Sequence, residues 1–71
     1  GDVGIYEIAV PSQWIGKSII EKSIRSKYNI SILATKKEDE IFPLPSPDHV
    51  FSADETLMVM GRDEDIKRIV K

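Results

Sequence analysis

The sequence contains no cysteine. Disulfide frameworks and thiolate metal sites, which stabilise many small domains, are therefore excluded. A chain of 71 residues buries only about 60% of its unfolded surface, so its hydrophobic core alone gives a marginal fold. Self-association is the remaining way to bury more surface, and we therefore expect the domain to work as a dimer. The lack of cysteine is also compatible with a reducing cytoplasm.

Long apolar runs and an excess of basic charge are missing as well. No run of about 18 apolar residues occurs, which predicts that this segment neither inserts into a membrane nor carries a secretory signal. Ten Lys and Arg residues stand against twelve Asp and Glu residues, for a net charge of -2. Domains that bind nucleic-acid polymers normally carry a basic surface, so such a partner is not expected. A small anion needs only a local group of donors and is compatible with this balance.

The sequence has none of the motifs that mark catalytic sites. It contains no glycine-rich phosphate loop and no cysteine nucleophile, and no serine stands in a recognisable motif with His49, the single histidine. We therefore expect no enzymatic activity. His49 lies beside Asp48 and near Asp54; these groups could form a metal site or a general base, but such neighbours on a loop are typical of a solvated surface.

The composition that remains, 41% hydrophobic and 31% charged residues, is that of one globular domain. Two glycines among residues 1–4 disfavour ordered structure. They predict a linker remnant, with the domain in residues 5–71 of a longer chain. Alternating apolar residues predict a first strand over residues 5–10.

Apolar residues at four-residue spacing, including Ile20 and Ile24, predict one amphipathic helix over residues 17–28 with these side chains on its buried face. Glu21 precedes Arg25 by four residues, the favoured order for an intrahelical ion pair, so Arg25 has a structural role that requires no ligand. Asn29 tolerates a left-handed backbone and predicts the end of this helix.

Three strands and a second helix complete the predicted fold. A β-branched run predicts a strand over residues 30–35, and a charged turn leads to a short third strand at residues 41–42. The apolar residues 56–60 predict a central last strand, and the charge pattern of residues 63–70 predicts a helix. This order predicts an α+β fold: a small mixed or antiparallel sheet with both helices on one face.

Four segments together resemble one family: EIAVP (7–11), GKSI (16–19), IRSKYNI (24–30) and DETLMVMG (54–61). In this order they are similar to the RCK C-terminal (TrkA-C) domain across residues 5–70. The resemblance implies a TrkA-C-like fold and a regulatory domain without catalytic activity. Family members follow a nucleotide-binding Rossmann domain in cytoplasmic subunits, including the Ktr type, that gate potassium channels and transporters. The implied partner of the full-length protein is therefore a membrane potassium transporter or channel subunit, and the implied location is the inner face of the cell membrane.

The resemblance also implies a ligand site. In several Ktr-type regulators the domain forms a homodimer and binds cyclic di-AMP in the dimer cleft, with no required cofactor. The residues that this pattern brings to the ligand are Ile19, Ile24, Arg25, Asn29, Ile30, Ser31 and Pro47, with Pro45 beside them. Arg25 would offer a fork of donors to a phosphate, and the isoleucines would cover the adenine faces. Close relatives that bind the nucleotide carry an amide where this chain has Ser31.

Two other functions fit the same sequence. A purely structural dimerisation module would hold two regulator subunits together, with all ligand sensing elsewhere, and predicts a filled interface. The acidic run Glu38, Asp39 and Glu40 is typical of a solvated turn but could also bind a divalent cation weakly. A weak divalent-cation sensor would be stabilised by divalent ions and indifferent to nucleotides.

Overall fold

One four-stranded antiparallel sheet organises the chain in the computed structural model, which describes residues 2–70. The strands lie in the spatial order β1-β4-β2-β3. The elements in chain order are β1 (Val3–Ala9), a 3-10 turn (Ser12–Trp14), α1 (Ile19–Lys22), α2 (Ile24–Tyr28), β2 (Ser31–Lys37), β3 (Glu40–Pro43), β4 (Thr56–Arg62) and α3 (Asp63–Val70). The predicted α+β class and element order are confirmed.

The core lies between one face of this sheet and the helices. Trp14 is fully buried, and its ring centroid lies 5.1 Å from that of Tyr28 and 5.3 Å from that of Phe51. The buried cluster joins strand residues to helix residues and contains Ile8, Trp14, Ile24, Ile30, Phe51, Leu57, Val59, Ile66 and Ile69. Burial of these side chains is the main stabilising contribution to the fold.

β4 is the central strand, as predicted, with β1 and β2 on either side. Its small residue Gly61 allows the chain before β2 to approach closely. A Cβ atom at position 61 would lie 2.7 Å from Cγ2 of Ile30, which is itself buried. The packing of Ile30 against β4 therefore depends on the absence of a side chain at Gly61.

The single helix predicted over residues 17–28 is divided in two. Ser23 has a left-handed backbone (φ 49°) and separates α1 from α2. Ser18 begins α1 with a capping box: its hydroxyl accepts the N–H of Glu21 at 3.1 Å, and the Glu21 carboxylate accepts the N–H of Ser18 at 2.9 Å. Since Glu21 is used in this way, the ion pair predicted between Glu21 and Arg25 does not form within residues 2–70.

The break at Ser23 also changes which isoleucines face the core. Ile24 is buried as predicted, but Ile20 is 66% exposed, which corrects its predicted place on the buried face. Ile19 is half-buried and packs against the core instead. The two short helices therefore present one isoleucine, Ile20, to solvent.

β1 begins two residues before the predicted start of the first strand. Val3 pairs with Arg62 of β4, and the N–H of Asp63 donates to the carbonyl of Asp2 at 3.1 Å. The ladder between β1 and β4 thus includes Val3 and Gly4, which the sequence assigned to a linker remnant. Gly1, also part of that predicted remnant, lies outside the described residues.

The helices are short. α3, with eight residues, is the longest helix in residues 2–70. A helix that crosses a membrane needs about 20 predominantly apolar residues. None of the helices in the described part of the chain meets that requirement.

The contact at Gly61 gives a first prediction. Gly61→Ala is expected to lower the free energy of unfolding by about 1–3 kcal/mol, because the added methyl overlaps the buried Ile30 side chain. Gly4→Ala is the matched control, since the atoms nearest to its added Cβ belong to the partly exposed Tyr6 ring. Urea unfolding measures the free energy of unfolding of both variants and of the native chain. Equal losses in the two would contradict the close packing of Ile30 on β4.

The capping box gives a second prediction. Hydrogen bonds from Ser18 hold the pKa of Glu21 below its ordinary value. This contribution to stability is present above the unfolded-state pKa and is lost as the pH falls through the lower folded-state pKa. In Ser18→Ala the pKa of Glu21 should move only part of the way back towards its ordinary value, because the hydroxyl is lost but the backbone N–H of residue 18, the larger cause, remains. Ser26→Ala in α2 should leave that pKa unchanged. An NMR titration of the Glu21 carboxyl group checks both, and an unchanged pKa in Ser18→Ala would contradict the contribution of the Ser18 hydroxyl.

Candidate functional site

A cavity of about 210 Å³ lies beside α1, α2 and the start of β2. We call it the cleft. Six of the seven residues that the sequence assigned to a ligand site line it, all except Asn29. The complete lining is Ile19, Ile24, Arg25, Ile30, Ser31, Ile32, Pro45 and Pro47.

The base of the cleft is aliphatic and rigid. Ile24 and Ile30 are almost fully buried in the core and show the cleft only a small part of their surface. Ile19 and Ile32 are half-buried and therefore expose more of their side chains there. The cleft is suited to cover a flat apolar group while the core holds its base in place.

Arg25 supplies the positive charge of the cleft. It is exposed, and none of the ion pairs or side-chain hydrogen bonds found within residues 2–70 involves its guanidinium. The expected ion pair between Arg25 and Glu21 does not form within residues 2–70, because Glu21 bonds Ser18 instead. A guanidinium beside an apolar cavity offers a planar fork of donors, a geometry that matches a phosphate or a carboxylate.

Asn29 lies outside the cleft. It has a left-handed backbone (φ 61°) and ends α2, as predicted, with its N–H donating to the carbonyl of Arg25 at 3.1 Å. Its side chain lines a neighbouring cavity of about 550 Å³. Ser31 lines both cavities and therefore lies between them.

The cleft continues along the outer side of α1. A shallow cavity of about 380 Å³ shares four of its residues with the cleft and adds Ile20. Sequence reasoning missed Ile20 and Ile32 as site residues. The adjacent pair Ile19 and Ile20 was the available signal, because neighbouring side chains on a helix point about 100° apart and so differ in how fully they face the core.

The loop of residues 44–55 forms the wall opposite α1. The carbonyl of Pro47 accepts the N–H of Ile20 at 2.9 Å, and the carbonyl of His49 accepts the N–H of Ile19 at 3.0 Å. The N–H of Phe51 donates to the carbonyl of Lys17 at 2.9 Å. The first two bonds satisfy helix-start donors that have no partner within α1, and all three fix the loop against this part of the chain.

His49 pairs with Glu55 rather than with its neighbours Asp48 and Asp54. Its Nε2 atom lies 3.0 and 3.2 Å from the two oxygens of the Glu55 carboxylate, which is 3% exposed. Asp48 accepts the hydroxyl of Ser46. No group of three or more His, Cys, Asp or Glu side chains in residues 2–70 is arranged to hold a metal ion.

Comparison with known proteins places these features in a family. The chain matches the model of the TrkA-C domain over residues 3–71. It is 34% identical over 67 residues to Ktr system potassium uptake protein A, and 33% identical to Ktr system potassium uptake protein C, both of Bacillus subtilis strain 168. Each alignment covers 94% of this chain but only 30% of the relative. The chain therefore spans about 30% of the length of these relatives.

Solved structures show the same fold. The RCK C domain of the potassium transport protein KtrA, in complex with cyclic di-AMP, matches with a TM-score of 0.85 at 31% identity over 94% of this chain and 79% of that one. The RCK_C domain dimer of S. agalactiae BusR, also in complex with cyclic di-AMP, gives a TM-score of 0.76 at 28% identity over 97% of this chain and 86% of that one. The chain belongs to the TrkA-C (RCK_C) domain family.

Proposed function

We propose that this domain regulates potassium transport by binding cyclic di-AMP in a cleft shared by two copies of the chain. The observation that carries the proposal is the unpaired guanidinium of Arg25 at the edge of an aliphatic cleft. The family adds support, because both the KtrA and the BusR domains have been solved in complex with this nucleotide. The domain has a regulatory role in this proposal and no catalytic one.

The size of the cleft favours a site shared by two copies. Its volume of about 210 Å³ is below the range of about 300–1,000 Å³ typical of pockets that enclose a ligand. Two such clefts facing each other would reach that range. A two-fold dimer brings the same residues together twice, and cyclic di-AMP has two equivalent phosphates and two equivalent adenines.

Each cleft residue has a role that follows from its position. Arg25 donates to a phosphate, and Ile19, Ile32 and Pro47 cover an adenine face above the buried base of the cleft. The hydroxyl of Ser31 both donates and accepts, so it replaces an amide with one hydrogen-bonding group fewer. Asn29 and its neighbouring cavity would be reached only by a ligand that extends past Ser31.

Ile20 provides a reason for two copies to associate beside the cleft. It is 66% exposed on α1 and borders the shallow extension of the cleft. An aliphatic side chain at this place is stabilised when a second copy covers it. The open cleft and the unpaired Arg25 favour a ligand site over a purely structural dimerisation module, which would have a filled surface here.

The rest of the protein would carry the signal to a membrane. The Ktr relatives extend well beyond this domain, and we propose a nucleotide-binding Rossmann domain in the remainder of this protein too. Ligand binding between two copies would favour one relative orientation of the subunits. That orientation would control a membrane potassium transporter or channel subunit from the cytoplasmic side.

Arg25 gives the third prediction. Arg25→Ala should weaken binding of cyclic di-AMP by about tenfold or more, because a charge-assisted hydrogen bond contributes about 1.5–3 kcal/mol. Lys67→Ala on α3 removes the same charge from a residue that does not line the cleft and should bind like the native chain. Isothermal titration calorimetry measures the affinity of the native chain and of both variants. Equal affinity in the native chain and Arg25→Ala would remove Arg25 from the site, and no heat in any of them would exclude this ligand.

Ile20 gives the fourth prediction. Ile20→Glu should make the chain monomeric without unfolding it, since this side chain is mostly exposed in one copy and its charge would be buried in the dimer. Val70→Glu is the matched control, because Val70 is 51% exposed at the end of α3 and lies away from the cleft. Sedimentation and circular dichroism measure association and folding. If Ile20→Glu forms a dimer as stable as the native one, the interface lies elsewhere.

A further inference from the structure

Glu55 is a buried carboxylate that does not line the cleft. Its side chain is 3% exposed and is held by the N–H of Ser52 at 2.8 Å and by Nε2 of His49 at 3.0 Å. A buried carboxylate destabilises a fold unless hydrogen-bond donors satisfy it. The position of the Glu55 side chain, directly before β4, therefore depends on His49 and Ser52.

His49 connects this carboxylate to the cleft. Its ring bonds Glu55, while its backbone carbonyl accepts the N–H of Ile19, a residue that lines the cleft. Two residues earlier, the carbonyl of Pro47 accepts the N–H of Ile20. One residue thus links the start of β4 to the first turn of α1.

The other charged groups near this pair already have partners. Lys37 lines the same cavity as His49 and Glu55, but its ammonium group lies 3.5 Å from the carboxylate of Asp54. The hydroxyl of Ser52 donates to Asp54 at 2.7 Å and holds the pKa of that carboxyl below its ordinary value. His49 is therefore the side chain that Glu55 contacts directly.

The pair joins a loop and a helix that differ in stiffness. α1 has four residues, too few to be stable on its own, so it needs the carbonyls of the loop. The loop contains Pro45 and Pro47, whose fixed φ angles limit its conformations. Holding the loop at His49 therefore fixes Pro47, and through it Ile19 and Ile20 of α1.

We propose that Glu55 and His49 are a positioning pair for the ligand, which hold the loop of residues 44–55 against α1 in the arrangement that binds it. The inference rests on the proposed function. Neither side chain touches the ligand. If the loop is in place in only one-tenth of the molecules, the apparent dissociation constant rises about tenfold, in proportion to the lost fraction.

Variants of this pair separate positioning from general stability. Glu55→Gln keeps the shape of the side chain and removes its charge, and His49→Ala removes the other partner. Both should raise the dissociation constant for cyclic di-AMP about tenfold, measured by calorimetry well below their melting temperatures. His49→Gln, whose amide can donate from the place of Nε2, should recover most of the affinity.

The control and a second readout complete the test. Ile69→Val shortens a buried side chain of α3, a helix that packs on β1 and β4, and should lower the melting temperature without changing the dissociation constant. Amide hydrogen exchange at Ile19 and Ile20 should become faster in Glu55→Gln and stay native-like in Ile69→Val. If Glu55→Gln does not fold, His49→Ala carries the test, because His49 is partly exposed.

The outcomes distinguish this inference from the proposed function. If the native chain binds cyclic di-AMP and both pair variants bind it as tightly as the native chain does, the positioning role is overturned. Slow exchange at Ile19 and Ile20 in Glu55→Gln would also overturn it. If the native chain gives no heat, the proposed function itself fails, and with it the role of the pair in binding.

Discussion

The cleft depends on the backbone pairing between residues 16–20 and residues 47–51. Four hydrogen bonds, from Gly16, Ile19, Ile20 and Phe51, join these two segments over distances of 2.9–3.0 Å. Without them, α1 would lack partners for its first N–H groups and would be too short to persist. Ile19, Pro47 and Arg25 then line one cavity, so the cleft forms from segments far apart in sequence.

Much of the fold could be predicted because its elements have clear local patterns. The apolar residues before Gly61 identified the central strand, and the charge pattern of Asp63–Val70 identified α3. The break at Ser23 could not be predicted in this way. It rests on a left-handed backbone at Ser23, a conformation that sequence patterns assign to glycine or asparagine rather than to serine.

Six of the seven residues predicted for a ligand site line the cleft, but the shape of the cleft could not be predicted. The family resemblance brought together Ile19, Arg25 and Pro47, and the structure places all three around one cavity. The exposure of Ile20 follows from the helix break, and the contact of His49 with Glu55 follows from the folding of the loop. The adjacent pair Ile19 and Ile20 was a local signal for the first feature. The second has none, because it depends on how the loop folds against α1.

A binding stoichiometry tests the shared cleft most directly. One copy offers an open half-site with one guanidinium, whereas the nucleotide has two phosphates related by symmetry. Calorimetric titration of the native chain with cyclic di-AMP, combined with sedimentation of the product, gives the ratio of ligand to chain. A shared cleft predicts one nucleotide per two chains in a dimer; a ratio of one per chain, or no binding, would contradict it.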